Sequence, residues 1–151
     1  MAVSVPFTGG CACGAIRYEC SAAPFLALNC HCRDCQRASG SAYASILIVP
    51  TSTFRLVQGE PAYYSVTADS GNLTKRGFCS ECGAPVLLHE GGHPENVILQ
   101  AGSLDDPSWH QPLADMYTSR AHPWDTMTPG LPKFEGEPSE KNIQELLAAR
   151  S

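Results

Sequence analysis

Alternating apolar and polar positions dominate the first two thirds of the chain, and this period of two predicts β-strands. The clearest run is residues 43–49 (YASILIV), which are rich in β-forming side chains and end at Pro50. Seven further strands are predicted over residues 15–20, 54–57, 62–67, 72–78, 85–89, 97–101 and 113–118. Residues 33–39 are expected to form one or two helical turns. The chain is therefore expected to be mainly β.

The last thirty residues have a different pattern. Residues 121–138 are rich in Pro and Gly, and we expect an extended segment that wraps onto the body of the protein. The side chains expected to pack there are Trp124, Leu131 and Phe134. Ser139 can cap a following helix, with Glu140 in its first turn. The apolar face of this short C-terminal helix would consist of Ile143, Leu146 and Leu147.

Length and charge exclude several classes of protein. A chain of 151 residues fits one domain, so residues 1–151 are expected to fold as a single unit with a core of its own. A net charge of -5 argues against a nucleic-acid partner, which needs clustered Lys and Arg. No apolar run approaches the roughly 20 residues of a membrane helix. The N-terminus lacks the pattern of a signal peptide, so a cytoplasmic location is expected. The oligomeric state is left open.

Eight cysteines are the unusual feature of the composition. In a secreted protein they would indicate disulfides, whereas in an intracellular protein they are more often metal ligands. The missing export signal and the spacing of the cysteines both favour metal. A disulfide-stabilised secreted domain remains the alternative.

Two cysteine pairs predict a closed metal site. Cys11 and Cys13 are two residues apart, so both side chains point the same way in an extended segment. Cys79 and Cys82 have the spacing of a zinc knuckle. Four thiolates around one ion are typical of a structural zinc site, and this site would tie the N-terminal strand to the middle of the sheet.

A third group predicts an open zinc site. Cys30 and Cys32 share one face of an extended segment, and Cys35 lies one turn further on. Three thiolates leave a fourth position for water or substrate, which is typical of a catalytic zinc. Alternatively, His31 or Cys20 completes a second structural site. We expect His31 to point to the opposite face, and Cys20 to be a small buried apolar residue at a strand end.

The charge of the open site indicates its chemistry. Three thiolates on a divalent zinc leave a net charge of -1, which suits holding a sulfur ligand and makes a bound thiol a thiolate. The expected substrate is a thiol, or a small electrophile presented to one. Arg33, Arg37 and Arg76 are candidates for binding the carboxylates of such a thiol. Alternatively, these arginines offset the thiolate charge or face solvent.

The three cysteine motifs resemble those of a known family. They are Gly9-Gly10-Cys11-Ala12-Cys13-Gly14, Cys30-His31-Cys32-Arg33-Asp34-Cys35-Gln36-Arg37 and Phe78-Cys79-Ser80-Glu81-Cys82-Gly83. Their order and register are similar to those of the glutathione-dependent formaldehyde-activating enzyme family, which includes centromere-protein-V-like proteins. Residues 119–124 (SRAHPW) also resemble the family's C-terminal Trp motif.

This resemblance implies a β-tent, in which small antiparallel sheets are joined at zinc sites. It implies two zinc ions per chain, one structural at Cys11, Cys13, Cys79 and Cys82, and one catalytic at Cys30, Cys32 and Cys35. It also implies a carbon–sulfur lyase-type reaction that resembles S-(hydroxymethyl)glutathione synthase, with glutathione and formaldehyde as substrates. The alternative function is a non-catalytic zinc module that binds a protein partner or senses metal or redox state.

Overall fold

The computed structural model describes residues 2–150, and these residues form two β-sheets and two α-helices. The strands are β1 (Phe7–Gly10), β2 (Arg17–Cys20), β3 (Leu26–Cys30), β4 (Ala44–Pro50), β5 (Phe54–Gln58), β6 (Ala62–Thr67), β7 (Leu73–Phe78), β8 (Pro85–Glu90), β9 (Asn96–Gln100) and β10 (Asp115–Met116). The helices are α1 (Arg33–Ser39) and α2 (Glu140–Ala149). The expected fold class, mainly β with a short C-terminal helix, is confirmed.

The strands divide into a small sheet and a large one. The small sheet has the order β1-β2-β5, and the large sheet has the order β10-β3-β4-β9-β8-β7-β6. Neighbouring strands are antiparallel, except that the two-residue β10 runs parallel to β3. Within residues 2–150, neither helix is long and apolar enough to span a lipid bilayer.

The central strands of the large sheet are buried on both faces. Alternate residues of β4 point to opposite sides, so Leu47 and Val49 join a core that includes Tyr18 of the small sheet. Ile46 joins a second core that includes Leu146 of α2. The large sheet is therefore the middle of three layers, with the small sheet on one side and the C-terminal segment with α2 on the other.

The glycines before the first cysteine pair allow a close approach between the small sheet and the rest of the protein. A Cβ atom on Gly9 would lie 2.4 Å from the carbonyl oxygen of Ser103, and one on Gly10 would lie 2.1 Å from that of Ile16. The Tyr18 hydroxyl and the Ser103 hydroxyl, 2.8 Å apart, form a hydrogen bond across the same contact. The loop that carries Cys11 is therefore held firmly against the body of the protein.

Two strands were not predicted, and one was predicted too long. All five residues of β3 (LALNC) are buried, so the strand shows no alternation of apolar and polar positions. Strand β1 (FTGG) is short and ends in two glycines. The expected strand at 113–118 is reduced to Asp115–Met116, where it pairs with β3.

The C-terminal segment packs onto the body only in part. Phe134 contacts the core beneath α2, and Leu131 is half-buried. The prediction that Trp124 packs onto the body of the protein is wrong, because its side chain is 69% exposed and stacks on the ring of His122. Helix α2 begins as predicted, with Ser139 as its N-cap and Asn142 completing a capping box.

Candidate metal centres

The first cysteine cluster joins the two sheets. Cys11 and Cys13 follow β1 of the small sheet, while Cys79 and Cys82 lie in the turn between β7 and β8 of the large sheet. Their four sulfur atoms lie within 4.8 Å of one another. The sulfur–sulfur distance is 3.6 Å for Cys11 and Cys13 and 3.8 Å for Cys13 and Cys79. Four sulfurs around a tetrahedral ion with bonds of about 2.3 Å would lie about 3.8 Å apart, so this cluster could hold a metal ion.

Backbone hydrogen bonds prepare this cluster for negative charge. The Ile16 amide donates to the sulfur of Cys11 over 3.2 Å. Backbone hydrogen bonds at Ala84 and Cys13 lower the pKa of Cys82 to about 6, which favours its thiolate at neutral pH. Gly83, with a φ of 76°, closes the turn by donating its amide to the carbonyl of Cys79. The local backbone therefore favours thiolates as well as positioning the sulfurs.

The second cluster is formed by one short stretch of chain. Cys30 ends β3, Cys32 is the N-cap of α1, and Cys35 lies in the first turn of α1. Their three sulfurs also lie within 4.8 Å of one another, and all three residues are buried. The sulfur of Cys32 accepts a hydrogen bond from the Cys35 amide over 3.3 Å, as an N-cap side chain does. This cluster could also hold a metal ion, with three protein sulfurs.

The negative charge of the second cluster is concentrated on Cys35. Hydrogen bonds from the thiols of Cys30 and Cys32, together with the charge of Arg76, lower the pKa of Cys35 to about 3. The same sulfur contacts and burial raise the pKa of Cys30. One guanidinium nitrogen of Arg76 lies 3.7 Å from the sulfur of Cys35. The cluster therefore carries a thiolate next to a buried cation.

His31 points away from the three sulfurs, as expected. Its Nε2 lies 3.1 Å from Oδ1 of Asp115, and its Nδ1 lies 3.1 Å from Oδ2 of Asp125. Cys20 ends β2 and belongs to the core on the other face of the large sheet. The structure therefore places neither of the two candidates for a fourth ligand at the three-sulfur cluster.

Gln36 connects the cysteine helix to the Trp motif. Its side-chain amide donates to the carbonyl oxygens of His31 and Arg120, over 2.7 and 3.0 Å. Its amide oxygen lies 2.7 Å from Nε2 of His122. Arg33 contacts both Gln36 and His122. These contacts hold the segment around residues 120–122 against α1, which gives the Trp motif a structural role beside the second cluster.

A cavity of about 120 Å³ adjoins the three-sulfur cluster. Its apolar lining comes mainly from β3, β4, β8 and β9, and comprises Leu26, Leu28, Ile46, Ile48, Leu88 and Ile98. Its charged lining comprises Arg76, Asp69, Glu90 and Glu137. Tyr117 also lines the cavity, in the left-handed conformation with a φ of 55° that non-glycine residues rarely adopt. The second cluster therefore opens onto a small and largely apolar space.

Of the three candidate arginines, the structure places only Arg76 on this cavity. Its side chain is buried, and its Nε and Nη1 atoms have no hydrogen-bond partner among residues 2–150. Buried donors without a partner are costly, so they indicate a place for an anionic or strongly polar ligand group. Arg33 is instead held by Gln36 and His122, and Arg37 is exposed in the last turn of α1.

Several residues near the second cluster were missed by sequence reasoning. Asp115 and Asp125 face His31, Gln36 connects α1 to the Trp motif, and Tyr117 lines the cavity. Single Asp, Gln and Tyr residues without a spacing pattern give no local signal of such roles. Asp115 and Tyr117 reach this region because β10 pairs with β3, far away in the sequence.

Comparison with known proteins identifies the family and the fold of this chain. The family model described as glutathione-dependent formaldehyde-activating enzyme matches residues 6–120, a range that includes both cysteine clusters. The fold is similar to that of a crystal structure of a Rhodobacter sphaeroides protein, with a TM-score of 0.54 and 20% sequence identity. That match covers 84% of this chain and 98% of the other, and at this identity the likeness shows the fold alone.

We predict two metal ions per chain, one in each cluster, and expect that mutating a ligand of one cluster removes only the ion of that cluster. Protein purified without added metal or chelator should contain about two ions by elemental mass spectrometry. Cys79→Ser should remove one and strongly lower the melting temperature, because it unties the two sheets. Cys32→Ser should remove the other and leave a folded protein. Cys20→Ala, outside both clusters, should retain both ions. If Cys32→Ser unfolds the protein as fully as Cys79→Ser, both sites are structural.

Proposed function

We propose, because the chain belongs to the glutathione-dependent formaldehyde-activating enzyme family, that it is a zinc-dependent carbon–sulfur lyase-type enzyme. It acts on the adduct of a glutathione-like thiol and a small aldehyde, as in S-(hydroxymethyl)glutathione synthesis. The observation that carries this proposal is the buried three-sulfur cluster, which lies beside a cavity and a buried arginine with unpartnered donors.

The donor sets fit zinc. Thiolates are preferred ligands of zinc, and four of them around one ion form a saturated structural site at Cys11, Cys13, Cys79 and Cys82. Cys30, Cys32 and Cys35 would hold a second ion and leave one position free. Zinc bound there would supply a Lewis acid suited to holding a thiol as its thiolate.

The residues around the cavity would bind and orient the thiol. Two guanidinium nitrogens of Arg76, Nε and Nη1, have no partner among the described residues and suit a carboxylate of a peptide thiol such as glutathione. Asp69 lies on the same cavity and suits the ammonium group that glutathione also carries. The apolar walls exclude bulk water and so strengthen both contacts. The thiol sulfur would then lie at the three-cysteine cluster.

The reaction adds the thiol across the carbonyl group. A carbon–sulfur bond forms, the carbon–oxygen π bond opens, and the proton of the thiol passes to the carbonyl oxygen. The reverse reaction breaks the carbon–sulfur bond and returns that proton to sulfur. Burial raises the pKa of Tyr117 to about 12, so its hydroxyl stays protonated at neutral pH and can donate a hydrogen bond to the aldehyde oxygen. Holding both reactants in one cavity makes the addition nearly unimolecular.

This function predicts that the protein accelerates adduct formation. Exchange NMR on glutathione and formaldehyde should show exchange at least tenfold faster with the protein than without it. Cys32→Ser should lose the acceleration while remaining folded, because it removes a ligand of the open site. Cys20→Ala should keep it. Exchange at the spontaneous rate in the metal-loaded wild-type protein would refute the formaldehyde version of the lyase proposal and favour the non-catalytic zinc module.

If Arg76 binds the thiol substrate, replacing it should weaken thiol binding more than it slows the reaction. Arg76→Gln removes a charged hydrogen bond of about 1.5–3 kcal/mol, so KM for glutathione should rise roughly 10–100-fold with a smaller change in kcat. Metal content is measured first, because Arg76 also contacts Cys35.

Arg37→Gln is the matched control, since Arg37 is exposed and does not line the cavity. Its KM should stay within about twofold of the wild-type value. Equal KM values for the two variants would show that Arg76 does not bind the substrate.

A further inference from the structure

The cavity at the three-sulfur cluster continues toward the protein surface. A second cavity, of about 140 Å³, adjoins it and reaches Phe25 and His93 at the surface. Residues shared by the linings of both cavities are Leu26, Ile48, Glu90, Ile98, Glu137 and Ile143. The two cavities together form a groove, named here the apolar groove, that runs from the cysteine cluster to the protein surface.

The floor of the apolar groove is a continuous hydrocarbon surface. Leu26 of β3 lies opposite Ile48 of β4, and Ile48 lies opposite Ile98 of β9. Ile98 in turn lies opposite Leu88 of β8. Cross-strand neighbours on one face lie about 4.5–5.5 Å apart, so their side chains leave no polar gap between them. A ligand lying on this floor meets apolar side chains from four adjacent strands.

The roof of the groove belongs to the C-terminal part of the chain. Glu137 and Pro138 line the inner cavity just before α2, and Ile143 of α2 lines both cavities. The family match ends at residue 120, so this roof lies outside it. The cysteine site is therefore within the matched range, whereas the roof above it lies beyond that range.

The charges along the groove determine which end of a ligand lies at the cysteine cluster and which end lies toward the surface. Within the described part of the chain, Arg76 is the only cationic side chain in the lining of the inner cavity, and it lies at the cysteine end. Glu90 and Glu137 line both cavities, and burial together with the charge of Glu90 raises the pKa of Glu137. These carboxylates disfavour a negative charge at the outer end. A ligand with a polar or anionic head at the cysteines and an uncharged tail fits this arrangement.

We infer that the aldehyde carried by the thiol adduct has an apolar chain, which lies in the apolar groove beneath Ile143. The adduct of formaldehyde has no such chain and would leave the hydrocarbon floor uncovered. An apolar protein cavity of about 150 Å³ is large enough to bind benzene, so the two adjoining cavities, of about 120 and 140 Å³, offer room for a short alkyl chain. This inference rests on the proposed function and specifies its substrate as the thiol adduct of a medium-chain aliphatic aldehyde.

Unreactive thioether analogues of the thiol adduct test the inference through their binding affinity, without any measurement of catalysis. S-hexylglutathione and S-methylglutathione share the same peptide and differ in five methylene groups. Each buried methylene favours binding about fourfold, so calorimetry should give at least tenfold tighter binding of the hexyl compound to the metal-loaded protein. Ile143→Ala opens the roof and should weaken hexyl binding at least threefold. Ile48→Trp fills the groove and should reduce hexyl affinity to that of the methyl compound.

Leu147→Ala is the matched control for helix packing. Leu147 belongs to the same helix and packs on the same core, but it lines neither cavity, so this variant should bind both analogues like the wild type. Equal wild-type affinities for the two analogues would overturn the inference. Hexanoate also has an anionic head and an apolar chain, but it lacks the peptide thiol. Hexanoate binding as tight as that of S-hexylglutathione would therefore overturn the inference as well.

Exchange kinetics separate failure of the inference from failure of the proposed function. With glutathione, hexanal should be accelerated at least tenfold more than formaldehyde, relative to the spontaneous rate of each aldehyde. Acceleration of formaldehyde but not of hexanal would leave the lyase function and overturn the inference. Acceleration of neither aldehyde would overturn both.

Discussion

Sulfur atoms crowded within 4.8 Å of one another are the constraint on which the rest of this structure depends. Thiolates at such distances repel each other unless a cation lies between them, and neutral thiols would gain little from meeting there. The protein nevertheless builds two such clusters, using glycines, a helix N-cap and backbone amides that donate to sulfur. This arrangement is reasonable for a chain that folds around metal ions, since binding of the metal and ordering of the ligands then occur together.

The large sheet separates the two clusters and their roles. Cys11 and Cys79 belong to the core between the two sheets, where four sulfurs leave no free position on a tetrahedral ion. The three sulfurs after β3 belong to the core on the other face, next to Arg76 and the cavity. One metal would therefore join the layers of the fold, while the other would face a space that a substrate can enter.

The cysteine clusters could be predicted from the sequence alone because metal ligation imposes short, regular spacing on the ligand residues. Local patterns also predicted both helices, since the N-cap Ser139 and the cluster before Gly40 are local signals. Strand β3 was missed because burial on both faces removes the alternation on which the prediction depends. The sequence identified Arg76 as a candidate for binding the thiol substrate, but it did not distinguish Arg76 from Arg33 and Arg37 in this role. The special position of Arg76 comes from the pairing of β7 within the sheet, which brings it to Cys35 across 41 residues of chain.

The apolar groove was beyond sequence reasoning for a similar reason. Its floor consists of residues from four strands, and nothing local distinguishes Ile48 or Ile98 from other core residues. Its roof depends on where α2 lies, which is decided by packing of the helix onto the large sheet. In this chain the C-terminal segment therefore shapes the groove independently of the metal ligands.

The central claim is that one metal site is closed and the other accepts a thiol, and X-ray absorption at the zinc edge tests it most directly. Four protein sulfurs at one site and three at the other predict an average of about three and a half sulfurs per zinc in the protein alone. Saturating glutathione should raise that average to about four. An average that is already four without the thiol, or one that glutathione leaves unchanged, would contradict the account.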